Sequence, residues 1–141
     1  MKLVLDSSVI AKLFVDEVNS NDAIEIINIS HEKDIELIAS ELVIYEVGNI
    51  IYKHLKKRKG GKKYIKQLFL LNIEYIQLNQ NPISKAMEIA QKNTISYYDA
   101  VHVGISKQIK APLVTEDKEL LKKLKNTLNI HEVLEYINKH S

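Results

Sequence analysis

The apolar positions of this chain fall into short uninterrupted runs separated by longer stretches with helical spacing. "KLVLD" is a compact apolar run ending at Asp6, and Ser7 and Ser8 stand where they can cap the "VIAKLFVDE" that follows, so the opening reads as strand, turn, helix. Ser20 precedes Ala23, Ile24, Ile26 and Ile27, a helical pattern that fades in the polar "SHEKD". "IELIA" predicts a second strand. Ser40 is placed to cap a long helix from Glu41 to about Lys57, which the basic, glycine-containing "KHLKKRKGGKK" breaks. A helix around "KYIKQLFLLN" leads to the alternating strand "IEYIQLN". Asn81, with Pro82 at the first helical position, then starts "ISKAMEIAQKN", and a further helix runs from Ser96 to about Lys110. Leu113 to Thr115 in "APLVTED" reads as a strand, Asp117 caps "KELLKKLKN", and "NIHEV" reads as a last edge strand before a terminal helix. Strands alternating with helices in this way predict an α/β sandwich around a short, mostly parallel central sheet.

Composition narrows this picture without redirecting it. A chain of 141 residues, 45% hydrophobic and 27% charged, is expected to form one domain, residues 1–141, with a core that needs no staples. The absence of cysteine excludes a disulfide framework, a thiolate zinc site and a cysteine nucleophile, and fits a cytoplasmic location. Asp6 and Lys12 interrupt "MKLVLDSSVIAKLFV" too early for a secretory signal, and no apolar segment approaches the roughly 20 residues that span a bilayer. A net charge of +2 says little about partners. The local run from Lys53 to Lys63 says more, as a solvated loop or as a contact for a polyanion's phosphates.

The candidate chemistry lies in carboxylates. In an open parallel sheet the functional crevice lies outside the carboxyl ends of the strands. Asp6 ends the first strand and Asp117 follows "LVT", so both belong to that edge. Asp99 starts the helix leading into "LVT". It reaches the same edge provided that the preceding helix lies across the sheet rather than forming a simple hairpin with it. On a helical wheel Glu46 falls between Leu42 and Ile50, at the margin of the apolar stripe, about 9 Å along its helix from the strand end. Taken singly, Asp6 suits a turn, Asp99 a cap begun by Ser96, Asp117 a cap and Glu46 a half-exposed helical position. Independent caps have no reason to gather at one edge with a stripe-margin glutamate.

Two carboxylates about 5 Å apart repel by roughly 3 kcal/mol at an effective dielectric of 20, so such a cluster calls for a cation. All-oxygen donors favour Mg²⁺ or Mn²⁺, ions suited to phosphodiester hydrolysis. Ser8 and Thr115 add hydroxyls beside Asp6 and Asp117, either as cap and turn groups or to orient ligands.

In order and spacing these segments resemble the PIN domain ribonucleases, and within them the VapC-type toxins of toxin–antitoxin pairs. "LVLDSSVIAKLF" resembles the opening motif with Asp6 and Ser8, and "ELVIYEVGNIIYK" the E-x-x-N helix with Glu46 and Asn49. "ISYYDAVHVGIS" resembles the Y-D-A motif with Asp99, and "APLVTEDKELL" the T-x-D motif with Thr115 and Asp117. The resemblance implies a PIN-like α/β/α sandwich and a metal-dependent endoribonuclease that leaves a 5′-phosphate and a 3′-hydroxyl. Asp6, Glu46, Asp99 and Asp117 are the acidic ligands it implies, held directly or through water. It also implies a homodimer and a VapB-like antitoxin that places its C-terminal segment in the active-site groove. His102 departs from the pattern, since the related toxins more often carry an aromatic residue there. Asp99 and His102 form a D-x-x-H pair on one helix face, but a packing or surface histidine is expected rather than a ligand. Tyr97 and Tyr98 are positioned to stack on a base or, more commonly for tyrosines at a helix start, to pack.

Two rival readings differ in class. A PIN-like module that binds RNA or a protein without cutting would have no use for the full acidic set. An aspartyl-phosphate phosphatase would use Asp6 as nucleophile, but those enzymes usually carry D-x-D, and "DSS" lacks the second aspartate.

Overall fold

A computed structural model describes residues 1–140. The apolar runs form five strands: β1 (Lys2–Leu5), β2 (Glu36–Ser40), β3 (Ile73–Ile76), β4 (Leu113–Val114) and β5 (Thr127–Leu128). They make an all-parallel sheet in the order β3-β2-β1-β4-β5, with Val4 beside both Ile38 and Leu113. The chain builds outward from β1 to β3 and then crosses back to lay β4 on the other side of β1. The carboxyl ends of β1 and β4 therefore flank the point where the winding reverses, where open α/β sheets place their functional crevice.

Between the strands run α1 (Ser7–Ile10), α2 (Ser20–Glu32), α3 (Leu42–Leu55), α4 (Lys62–Leu70), α5 (Gln80–Asn93), α6 (Tyr97–Ile109), α7 (Lys118–Lys123) and α8 (Ile130–His140). Alternate strand residues face opposite layers. Leu3, Leu5, Leu37, Ala39 and Val114 pack with Ala23 and Ile26 of α2, Val43, Val47 and Ile51 of α3, and Ile130, Val133 and Ile137 of α8. Val4, Ile38 and Leu113 pack with Ala86 and Ala90 of α5, Ala100 to Ile105 of α6, and Leu120 of α7. Each fully buried leucine or isoleucine of these layers contributes roughly 1.5–3 kcal/mol of transfer free energy.

Four expectations change in detail. The first helix ends at Ile10 and passes through a 3₁₀ turn, Ala11–Leu13, well short of Glu17. The buried Lys12 draws the chain back there, its amine donating to Val18 O at 2.7 Å and pairing with Glu17 at 3.4 Å. The long helix α3 stops at Leu55, two residues earlier than the pattern suggests, because Lys56 takes a positive φ of 55°. Ser40 does not cap α3: it is the last residue of β2, fully buried, and its hydroxyl faces His102. "NIHEV" is no strand. Asn129 and Glu132 form a reciprocal capping box, with Glu132 N–H donating to Asn129 Oδ1 and Asn129 N–H to Glu132 Oε2, each at 2.9 Å or less, and this starts α8 directly after β5. Among the described residues no helix is long and apolar enough to cross a membrane.

Candidate active site

The site is built from the ends of β1 and β4 and the first turns of α3, α6 and α7. Asp6 is the N-cap of α1 and is almost wholly buried, 3% exposed. A buried carboxylate demands donors, and Asp6 has several: Ser7 N–H at 2.6 Å and Ser7 Oγ at 3.2 Å on Oδ1, Thr115 Oγ1 at 2.6 Å and Ser8 Oγ at 3.1 Å on Oδ2. The "DSS" turn and the threonine of "LVT" thus serve one carboxylate, locking the end of β1 to the end of β4.

Thr115 is fully buried and works in both directions, donating to Asp6 and accepting from Asp117 N–H at 3.1 Å. Ser8 likewise accepts from Glu116 N–H at 3.0 Å while donating to Asp6. Asp117 caps α7 as expected, Oδ1 accepting from Glu119 and Leu120 N–H, and Oδ2 has no hydrogen-bond partner among the described residues. Glu116, between these residues, points away from the crevice. Its carboxylate accepts from Ile130 N–H at 2.9 Å and from Asn19 Nδ2 at 3.2 Å, tying the turn to α8 and to the start of α2.

Asp99 sits in the first turn of α6, where Ser96 caps the helix by accepting from Asp99 N–H at 3.0 Å. Burial pushes the Asp99 carboxyl above the usual range. The Ser96 hydrogen bond pulls it back, while the charges of Asp6 and Asp117 push it further up and His102 opposes them. His102, one turn further along α6, lies beside Asp6 and Ser40 at the ends of β1 and β2, so α6 starts at the carboxyl edge and brings Asp99 there.

Glu46 is half-buried on α3, and Oε1 lies 2.6 Å from His102 Nε2. His102 is fully buried and lies 3.6 Å from Asp6 Oδ1 through the same nitrogen, with Nδ1 3.1 Å from Ser40 Oγ. Burial alone would lower the proton affinity of the ring, but its hydrogen bond to Glu46 and the charges of Asp6, Glu46 and Asp99 outweigh it and push it up. The histidine expected to pack is thus part of the acidic cluster, and Ser40, expected to cap, is its anchor. The usable signal was the i, i+3 spacing of Asp99 and His102. Asn49, one turn beyond Glu46, is exposed. Tyr98 is 60% exposed, while Tyr97 is half-buried and packs against the α5–α6 layer.

The donor chemistry suits a hard divalent ion: four carboxylates with adjacent hydroxyls, one of them raised in pKa by burial and, to a lesser degree, by its acidic neighbours. The donors are gathered but not closed. Among the described residues no group of three or more histidine, aspartate or glutamate side chains converges enough to enclose a metal.

The sheet order and this acidic edge define an α/β nuclease-like architecture, and the family model described as the PIN domain matches residues 3–126. The chain belongs to the PIN domain family. It is similar to Ribonuclease VapC3 of Pyrobaculum aerophilum, 29% identical over 128 residues that cover 87% of this chain and 95% of that protein. Its fold matches PAE2754 from Pyrobaculum aerophilum with a TM-score of 0.71, at 24% identity over 99% of this chain and 96% of that one. A toxin–antitoxin complex from Klebsiella pneumoniae matches with a TM-score of 0.69, at 14% identity over 92% and 98% of the two chains.

Proposed function

We propose that this protein is a Mg²⁺- or Mn²⁺-dependent endoribonuclease of the VapC kind, the toxin of a toxin–antitoxin pair acting in the cytoplasm. The observation that carries the reading is the gathering of Asp6, Glu46, Asp99 and Asp117, from four separate segments, at the switch point of a parallel sheet. Kinship with a ribonuclease supports RNA as the substrate, and the fold shared with a toxin–antitoxin complex supports a small VapB-like antitoxin as partner.

Asp6 and Asp99 are the principal metal ligands, and Asp117 completes the site directly or through water. A bound divalent ion supplies a Lewis acid that lowers the pKa of water and offsets charge on the transition state. Glu46 is a ligand or the carboxylate that orients the attacking water. Thr115 and Ser8 hold the Asp6 carboxylate in one rotamer through hydrogen bonds to Oδ2. The cations from Lys53 to Lys63 bind RNA phosphates away from the cut.

The test is cleavage of a circular RNA, which only an endonuclease opens, with Mg²⁺ or Mn²⁺ against chelator. Wild type is compared with Asp6→Asn and Asp99→Asn. Cutting confined to wild type with metal is expected. Undiminished cutting in chelator or in both variants would sink the mechanism, and no cutting of any RNA by the antitoxin-free protein would favour a binding module.

A further inference from the structure

His102 is fully buried, yet both of its ring nitrogens have polar partners. Nδ1 lies 3.1 Å from the hydroxyl of Ser40, and Nε2 lies 2.6 Å from Glu46 Oε1. One ring on α6 thereby joins the end of β2 to α3, with the end of β1 only 3.6 Å away at Asp6. The cleavage chemistry above makes no use of this ring.

Asp6 and Glu46 differ in how much they need it. Asp6 is already held by Ser7, Ser8 and Thr115. Glu46 receives its hydrogen bond from His102, and among the described residues its carboxylate has no other donor. A glutamate carries its carboxylate on three rotatable bonds, so an unheld one samples several positions. A charge-assisted bond from a ring fixed at its far end removes that freedom. Ser40 supplies the fixing: it is the terminal residue of an interior strand of the sheet, and among the described residues its hydroxyl has no other partner. A phenyl ring would fill the same volume, so packing alone does not account for the two polar contacts.

We infer that His102 is a positioning residue: anchored by Ser40 at Nδ1, it holds Glu46 Oε1 through Nε2–H and leaves Oε2 as the oxygen offered to the divalent cation. The inference rests on the metal-dependent reading of the site and extends it, because it assigns part of the affinity for the ion to side chains that do not touch it. Hydrogen bonds to ligating groups typically change metal affinity by about 10–100-fold.

The experiment is Mn²⁺ titration of the intact protein without RNA, the free ion being read by its electron paramagnetic resonance signal. His102→Phe keeps the ring and loses both nitrogens, and its Mn²⁺ affinity is expected to fall by about 10–100-fold. His102→Gln offers an amide N–H to Glu46 and is expected to recover most of that loss, while Ser40→Ala should show a smaller loss than His102→Phe. Equal losses in the Gln and Phe variants would make ring shape the cause and overturn the inference. Unchanged or tighter binding in His102→Phe would also overturn it, since the histidine would then be neutral toward the ion or compete with it for Glu46. Circular dichroism monitors folding. If His102→Phe does not fold, Ser40→Ala decides, and wild-type Mn²⁺ affinity there overturns the inference. Asp6→Asn separates the two levels: binding by wild type that Asp6→Asn abolishes upholds the metal reading whatever His102 does. A wild type that binds no Mn²⁺ fails that reading and takes this inference with it.

Discussion

Two regions of this molecule carry opposite charge and are held by opposite means. At the carboxyl edge Asp6 is buried and Glu46, Asp99 and Asp117 are half-buried, and hydrogen bonds hold the carboxylates of Asp6, Glu46 and Asp117. Between Lys53 and Lys66 stand eight of the twenty Lys and Arg residues with no acidic residue among them, which leaves twelve against eighteen acidic residues in the rest of the chain. Those eight cations are exposed and none is in an ion pair among the described residues. Arg58 donates to the His54 and Leu55 carbonyls that end α3, and Lys63 lies 5.0 Å over the ring of Tyr64. Glu46 and Lys56, ten residues apart on one helix, are separated by about 15 Å. A buried, tightly bonded group does chemistry or positions a group that does. An exposed cation on a long flexible stem makes attachments that salt can dissolve. Under the proposed function, the difference gives turnover to one region and grip on RNA to the other.

The largest effect should come from Asp6. Asp6→Asn is expected to lower cleavage on the order of 10²–10³-fold, the loss typical of a single group that meets developing charge. It turns one accepting oxygen into a donor facing Ser7 or Thr115, so the melting temperature in chelator should fall as well. Thr115→Val comes next. It removes the 2.6 Å donor to Asp6 and the acceptor for Asp117 N–H. A cost of about 1–3 kcal/mol in urea unfolding is expected, with a 10–100-fold loss of metal affinity.

The basic segment is predicted to respond in binding alone. Replacing Lys57, Lys59 and Lys62 by Gln should leave kcat on a short oligonucleotide unchanged. For a longer RNA it should flatten the slope of log affinity against log salt by about 0.7 for each phosphate no longer neutralised. Equal damage to kcat on the short substrate would erase the division between the regions.

The smallest effect is a gain. Asp99 is raised in pKa in the folded state by burial and by its acidic neighbours, so its ionised form destabilises the fold. That penalty is absent below the carboxylate's unfolded pKa, where both states are protonated, and complete above the folded one. In chelator Asp99→Asn should therefore melt higher than wild type at pH 7, and the difference should vanish near pH 3. A wild type that melts higher than the variant at pH 7 would show that the acidic edge is not under strain.

Much of this architecture was legible in the chain. Asp6, Asp99 and Asp117 stand where strand ends and caps put them, because those placements follow from local chemistry: "DSS", S-x-x-D and T-x-D each specify a turn or a helix start. Glu46 was legible from its place on the wheel. Ser40 and His102 were not, because their partners lie 62 and 56 residues away, at Ser40···His102 and Glu46···His102, and no local pattern encodes a contact of that span. Lys12 shortened the first helix for the same reason in miniature, its amine finding the Val18 carbonyl where periodicity alone suggested continuation. The Asn129–Glu132 box was readable. Ile130 and Val133 stand at the i, i+3 spacing of a helix, which places them on opposite faces of a strand, so the spacing agrees with the box.

The PIN match ends at residue 126, but the physical unit does not. Ile130, Val133 and Ile137 of α8 are fully buried in the layer beneath β1 and β2, and Ile130 N–H is bonded to the carboxylate of Glu116, the residue between Thr115 and Asp117. A protease that nicked the chain after Asn126 would do more than shorten it. It would cut α8, whose Ile130 N–H holds the Glu116 carboxylate, loose from the segment that carries Thr115 and Asp117.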